Sequence, residues 1–367
     1  MKKSILMLSV AWSSLTASAQ QVGLKDVLGK YFTVGVALST RVTSDGDAVA
    51  DASVDRHFNS VVAENCFKGE EVTPQEGVYR FNAADSVVAY AQKHHLQLIG
   101  HCLVWHSQAP KWMFTHADGT TVSRDELIRR MQSHIRTMMG RYKGKVFGWD
   151  VVNEAFEDNG EYRRSPYYNI IGPEFIEIAF RTAQEADPGA ELYYNDYSMS
   201  KPGKREAVCK LIRHLKKEGI RIDAVGMQSH NGMDFPNLAD YEASIDSFAA
   251  QGVKVCFTEL DINVLPSPQQ FSGAGIEQTF EFQQKYNPYS KGLPAKVQQQ
   301  VDDRWMAFFE IYRRHASQIS RVTLWGLTDK DSWLNDWPIK GRTNYGLLFD
   351  RNGQAKPVIN KIIDLFN

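Results

Sequence analysis

VFGWDVVNE, residues 146–154, is an apolar run broken only by Asp150, and it closes on Asn153 and Glu154. A near-continuous apolar stretch of this length reads as a strand of a parallel sheet covered on both faces. Seven other runs have the same character: 31–38, 59–65, 97–103, 191–195, 224–229, 253–260 and 321–326. Between them lie amphipathic stretches with helical spacing, at 82–95, 123–142, 173–186, 204–218, 238–251 and 295–315. Ser123 and Glu126 have the spacing of a capping box, and Pro357 suits the first turn of a closing helix. Eight strands alternating with helices predict an α/β fold, a single (β/α)8 TIM barrel whose active site lies at the C-terminal ends of its strands. An open doubly wound sheet also alternates, but no GxGxxG turn follows an early strand.

The 367 residues carry 42 basic and 43 acidic side chains, so no global charge draws the chain to nucleic acid or an acidic membrane. Aromatic residues make up 11%, enough to furnish a surface for flat, partly apolar ligands. Lys2 and Lys3, the apolar stretch 5–12 and Ala17-Ser18-Ala19 have the order of a secretory leader. Residues 1–19 are therefore expected to be removed on export to the periplasm or medium, leaving 20–367 as the catalytic barrel. No later apolar segment is long enough for a membrane span. Four cysteines in so long a chain suggest buried thiols, with a Cys66–Cys102 bridge as the alternative. The stretch 266–294, rich in Gln, Gly, Ser and Pro, is the one long irregular connection.

The chemistry is legible in what ends each strand. Those ends read Glu64-Asn65, His101, Asn153-Glu154, Asn195-Asp196, Gln228 to His230, Glu259 to Asp261, and Trp325. Burying such groups without partners costs about 2–7 kcal/mol each on the harsher transfer scales, so their convergence on one rim argues for a site. Glu154 and Glu259, on the fourth and seventh strands, would face each other across the barrel mouth. Two carboxyls about one bond suit glycoside hydrolysis. Asn153 is placed to donate to a sugar hydroxyl. Asp261 is placed to orient His230, whose imidazole would hold Glu259 ionised as nucleophile. Glu154 has no neighbouring cation in the sequence and suits the acid role, with a raised pKa. Trp105, Trp112, Trp325 and Trp333 offer faces for pyranose rings, Lys68 and Gln108 offer hydrogen bonds to hydroxyls, and Trp149 reads as core. Five histidines (94, 95, 101, 106 and 230) lack the spacing of a metal site, so no metal is expected.

The segments GHCLVWHSQAPKW (100–112), WDVVNEA (149–155), YYNDY (193–197), GMQSH (226–230), TELD (258–261) and LWGLTDKDSW (324–333) resemble glycoside hydrolase family 10, chiefly endo-β-1,4-xylanases. The resemblance spans the chain from about residue 24 onward. It implies a retaining mechanism with Glu154 as acid/base and Glu259 as nucleophile. It also implies sugar contacts from Glu64, Asn65, Lys68, His101, Trp105, Gln108, Asn153, Gln228, His230, Trp325 and Trp333, with Asn195 added from its strand end and Tyr197 facing the reaction centre. No cofactor is implied; the expected partner is xylan or a xylo-oligosaccharide, and the expected state a monomer. The chain departs from the family at ENCFKGE (64–70), where Phe67 replaces a usual Met and Gly69 a usual Trp. Two other readings remain at this stage: a retaining hydrolase of another β-glycan, and a carbohydrate-binding barrel without turnover.

Overall fold

The computed structural model describes residues 22–269 and 279–367, so the expected leader and the middle of the 266–294 stretch lie outside the described residues. Nine strands are formed: β1 (Thr33–Leu38), β2 (Ser60–Ala63), β3 (Gln97–Trp105), β4 (Val146–Asn153), β5 (Glu191–Asp196), β6 (Ala224–Met227), β7 (His230–Gly232), β8 (Lys254–Asn263) and β9 (Ile319–Leu324). Every pairing is parallel. β1 to β6 pair in sequence, β6 pairs with β8, β8 with β9, and β9 with β1, which closes an eight-stranded barrel. The three-residue β7 stands outside that ring. It lies against the far end of β8 and sets His230 opposite Asp261.

Strand ends differ from the sequence expectation for a local reason. β3 and β8 run on to Trp105 and Asn263, and their pairings contain register shifts between His101 and Val104 and between Phe257 and Leu260. A bulge lets a strand continue past its apolar run while re-aiming its side chains, and apolar periodicity carries no sign of it. The sequence pattern also missed a helix, Ala48–His57, which buries only Ala50, Val54 and His57. Asp47 starts it, its carboxylate accepting from the backbone N–H groups of Val49 and Ala50, both at 3.1 Å. At the head of helix Arg124–Arg141 only half of the expected capping box forms. Ser123 accepts from the Glu126 N–H at 3.3 Å, while the Glu126 carboxylate turns to Arg130 at 2.8 Å.

The barrel interior is packed by Ala37, Val62, Ile99, Tyr193, Ala224 and Cys256, and Trp325 lies over them beneath the mouth. Trp149 is fully buried outside the ring, with Phe67 edge-on to it at 5.6 Å. All four cysteines are buried free thiols, which overturns the Cys66–Cys102 bridge; burial pushes the Cys66 thiol up to about 12. The described ends of the 266–294 stretch are tied down rather than structureless. The Pro266 carbonyl accepts from Arg342 at 3.1 Å, Asn287 Oδ1 from the Thr343 N–H at 3.0 Å, and the Tyr289 carbonyl from the Tyr345 hydroxyl at 2.8 Å. Among the described residues no helix is long and apolar enough to cross a membrane.

Gly100 is packed against this core, because a Cβ there would lie 2.1 Å from the Trp149 ring. Gly100→Ala is expected to destabilise the barrel by about 1–3 kcal/mol or more, read as a lowered urea midpoint. A wild-type midpoint would show that the indole has room to yield.

Candidate active site

The strand ends open on a cleft of about 170 Å³ lined by Glu64, Asn65, Lys68, His101, Trp105, Gln108, Asn153, Glu154, Gln228, His230, Glu259, Trp325 and Trp333. The sequence reading named each of them. Glu154 follows β4 directly and holds a left-handed φ of 58°. That conformation is uncommon for a side-chain-bearing residue and tends to persist where surrounding structure enforces it. Here the Glu154 N–H donates to the Asn195 carbonyl at 2.9 Å and Arg163 Nε donates to the Glu154 carbonyl at 3.0 Å. Gln108, Ser198 and Ser229, each beyond a strand end, also have positive φ. Backbone strain is thus gathered at the mouth.

The two carboxyls have different partners. Glu154 Oε2 accepts from Trp105 Nε1 at 2.8 Å and its Oε1 from Gln228 Nε2 at 2.9 Å, both neutral donors. Glu259 Oε1 accepts from Asn195 Nδ2 at 2.8 Å and its Oε2 meets His230 Nε2 at 3.1 Å. His230 Nδ1 in turn meets Asp261 Oδ2 at 3.0 Å. Burial disfavours the charged forms of both Glu259 and His230. For His230, the Asp261 carboxylate and then Glu259 more than offset it, raising the imidazole to about 10. For Glu259, the His230 hydrogen bond and the nearby His101 outweigh burial and hold the carboxyl below its ordinary value. His230 thus acts as a cationic bridge between two carboxylates.

The glycone-side lining is set by Lys68. Burial lowers this ammonium below its ordinary pKa, and it donates to Asn65 Oδ1 at 2.9 Å and Gln108 Oε1 at 3.0 Å. An ammonium has three N–H bonds, so a third donor remains beyond these two. The family departures bear on its support. Phe67 packs edge-on against Tyr142 and Trp149, and a Cβ on Gly69 would come within 3.1 Å of Pro110 Cδ. Proline therefore occupies the ground beside the glycine. His101 Nδ1 meets the buried Asp150 Oδ2 at 2.9 Å, which fixes that ring.

Three expected positions fall elsewhere. Asn195 is fully buried; its NH2 reaches Asn153 and Glu259 and its carbonyl accepts from Thr258, so it braces the carboxylate and does not meet the cleft. Tyr197 packs its hydroxyl on Arg163 and its ring under the Lys204 ammonium, and lines a second, adjoining cleft. Asp261, itself fully buried, lies beneath that second cleft, which holds about 390 Å³. Trp112 lies away from both clefts, its Nε1 donating to the Thr73 carbonyl at 2.8 Å. The sequence reading missed Arg163, Asp150 and the Lys204–Asp196 pair, which are buried or half-buried supports. Only YYNDY hinted at one of them, because its Asp196 ends a strand. Among the described residues no three His, Cys, Asp or Glu side chains are grouped to hold a metal ion.

A (β/α)8 barrel whose strand ends bring two buried carboxyl groups to one open cleft, amid indoles and hydroxyl-directed donors, is a glycoside hydrolase. The family model described as glycosyl hydrolase family 10 matches residues 23–365, and the chain belongs to that family. It is 56% identical over 353 residues to an endo-1,4-beta-xylanase A of Xylanibacter ruminicola, covering 96% of each chain. A beta-1,4-xylanase of Dictyoglomus thermophilum is 38% identical, with 93% of this chain and 90% of that one aligned. Among solved structures, a family 10 endoxylanase retrieved from a sugarcane soil metagenome superposes with a TM-score of 0.89 at 43% identity, over 95% of this chain and 100% of that one.

Glu64 supplies a pH test of the cleft's electrostatics. Burial, then the Asp331 charge, push its carboxyl up to about 7, with Lys68 and Arg41 opposing. A carboxyl raised in the folded state favours folding below its ordinary pKa of 4.5, and that contribution is lost as pH rises through about 7. Thermal melts across pH 5–8 should therefore fall less steeply for Glu64→Gln than for wild type. Parallel curves would show that Glu64 titrates in its ordinary range.

Proposed function

We propose that the protein is an endo-β-1,4-xylanase that cleaves internal linkages of xylan with retention of configuration. The observation that carries this reading is the asymmetric pair in one cleft: Glu259 held ionised by a cationic imidazole, Glu154 held by two neutral donors. In the first step the Glu259 carboxylate attacks the anomeric carbon while Glu154 gives its proton to the departing glycosidic oxygen. A glycosyl ester forms on Glu259 and the leaving sugar carries the proton away. In the second step Glu154, now a carboxylate, takes a proton from water as that water attacks the anomeric carbon, and Glu259 is released. Asn153, Lys68 and Gln228 hold hydroxyls of the sugar on the glycone side, and Trp325 and Trp333 wall it.

Xylan as substrate is supported by the relatives, several of which are named for that activity at 37–56% identity. The leader pattern in residues 1–19 supports export, where a polymeric substrate would be met.

Product analysis on arabinoxylan beside mixed-linkage β-glucan tests activity, substrate and endo mode together. Xylo-oligosaccharides of several lengths are expected early; faster release from glucan would overturn the substrate. The first-formed reducing ends should be β by NMR, and α ends would mean inversion. Glu259→Ala is expected to abolish turnover. Glu154→Ala should lose about 10²–10⁴ in rate on xylan but far less on aryl glycosides with good leaving groups, which need little protonation. Equal losses on both substrates would remove Glu154 from the acid role.

A further inference from the structure

Trp333 forms part of the wall of both clefts, and its ring is held from two sides. Trp337 stacks on it at 4.5 Å and 21°, and the His230 ring lies 4.8 Å away. Its indole N–H points into the protein. It donates to Asp261 Oδ2 at 2.8 Å, the same oxygen that meets His230 Nδ1. Asp261 is fully buried, and among the described residues its other oxygen has no hydrogen-bond partner. The indole and the imidazole are therefore the two side-chain donors to a buried carboxylate. On the far side of the same imidazole, Nε2 lies 3.1 Å from Glu259 Oε2.

We propose that Trp333 is a positioning residue for Glu259, acting through Asp261 and His230 by its N–H in addition to offering its ring to sugar. This rests on the reading of Glu259 as nucleophile. With the N–H removed, the Asp261 charge is balanced by the imidazole alone. Asp261 then draws the imidazolium proton more strongly, and the Nε2–H bond to Glu259 weakens. The less-screened Asp261 charge also opposes ionisation of Glu259. Both effects act in one direction, against the ionised nucleophile. His101 and Lys68, which also face Glu259 from β3 and from the turn after β2, are untouched by the change.

The test is the pH dependence of kcat/KM on an aryl β-xylobioside. Trp333→Phe keeps an aromatic face without the N–H. Replacement of Trp333 by benzothienylalanine keeps the whole bicyclic ring and removes only the N–H, so it answers even if the phenylalanine variant folds poorly. The acid limb is expected to move up by about half a unit to one unit in both, a threefold to tenfold loss of activity below the limb. Trp337→Phe, which alters the neighbouring ring and leaves the N–H to Asp261, should keep the wild-type limb. An unmoved limb with only a raised KM in both Trp333 replacements would overturn the inference and leave a stacking surface. An equal shift in Trp337→Phe would overturn it too, since the ring packing would then be the cause. A wild-type enzyme inactive on the xylobioside and on xylan would overturn the functional reading itself.

Discussion

A carboxylate buried on a barrel strand is tolerable only if something holds its charge, and at Glu259 that is first of all the His230 imidazole, with His101 nearby and the Asn195 amide donating. The His230 ring lies between two carboxylates and is made cationic by them, so each charge justifies the others. Removing the ring would leave two like charges buried close together, the arrangement in which one carboxyl takes up a proton. The ionisation of Glu259 is thus a property of the triplet rather than of Glu259 alone. The register of β7 on β8, which sets His230 opposite Asp261, is the backbone feature that creates the triplet.

The other carboxyl is held on different terms. Glu154 takes its hydrogen bonds from an indole and an amide, neither of which carries charge. Asn195 connects the halves: one NH2 group reaches both Asn153 beside the first carboxyl and the oxygen of the second. The separation of the two groups is in this way braced by a fully buried amide from the strand between them in the chain. Positive φ values at Glu154, Gln108, Ser198 and Ser229 show where the barrel's regular geometry is abandoned beyond the strand ends.

Much of this was readable before any coordinates. Eight apolar strands alternating with amphipathic helices permit few folds, and the polar residues that close each strand can gather at only one end of a barrel. That logic found the strand-end residues of the first cleft, while Lys68, Trp105, Gln108 and Trp333 came from side-chain chemistry and the family resemblance. It failed where the signal is not local. Asn195 lies at the end of β5 and Tyr197 just beyond it, and neither meets the first cleft, because side-chain direction at a strand end depends on register and bulges that consecutive residues do not encode. Trp112 looks like Trp105 in the sequence, and only packing sends its N–H to a backbone carbonyl and away from sugar. Arg163 and Asp150 lie outside the lining of the first cleft; the first gave no pattern, and the second showed only as the break in the apolar run 146–154.

The sequence by itself therefore determined the barrel, the rim and the identity of the two carboxyls, because hydrophobic periodicity and strand-end polarity are properties of consecutive residues. Tertiary structure alone decided the contacts around them, since the Glu259 carboxylate meets an imidazole 29 positions away in the chain and Asp261 an indole 72 positions away. Charge and hydrogen bonding act through space, and no spacing along the chain encodes such distances.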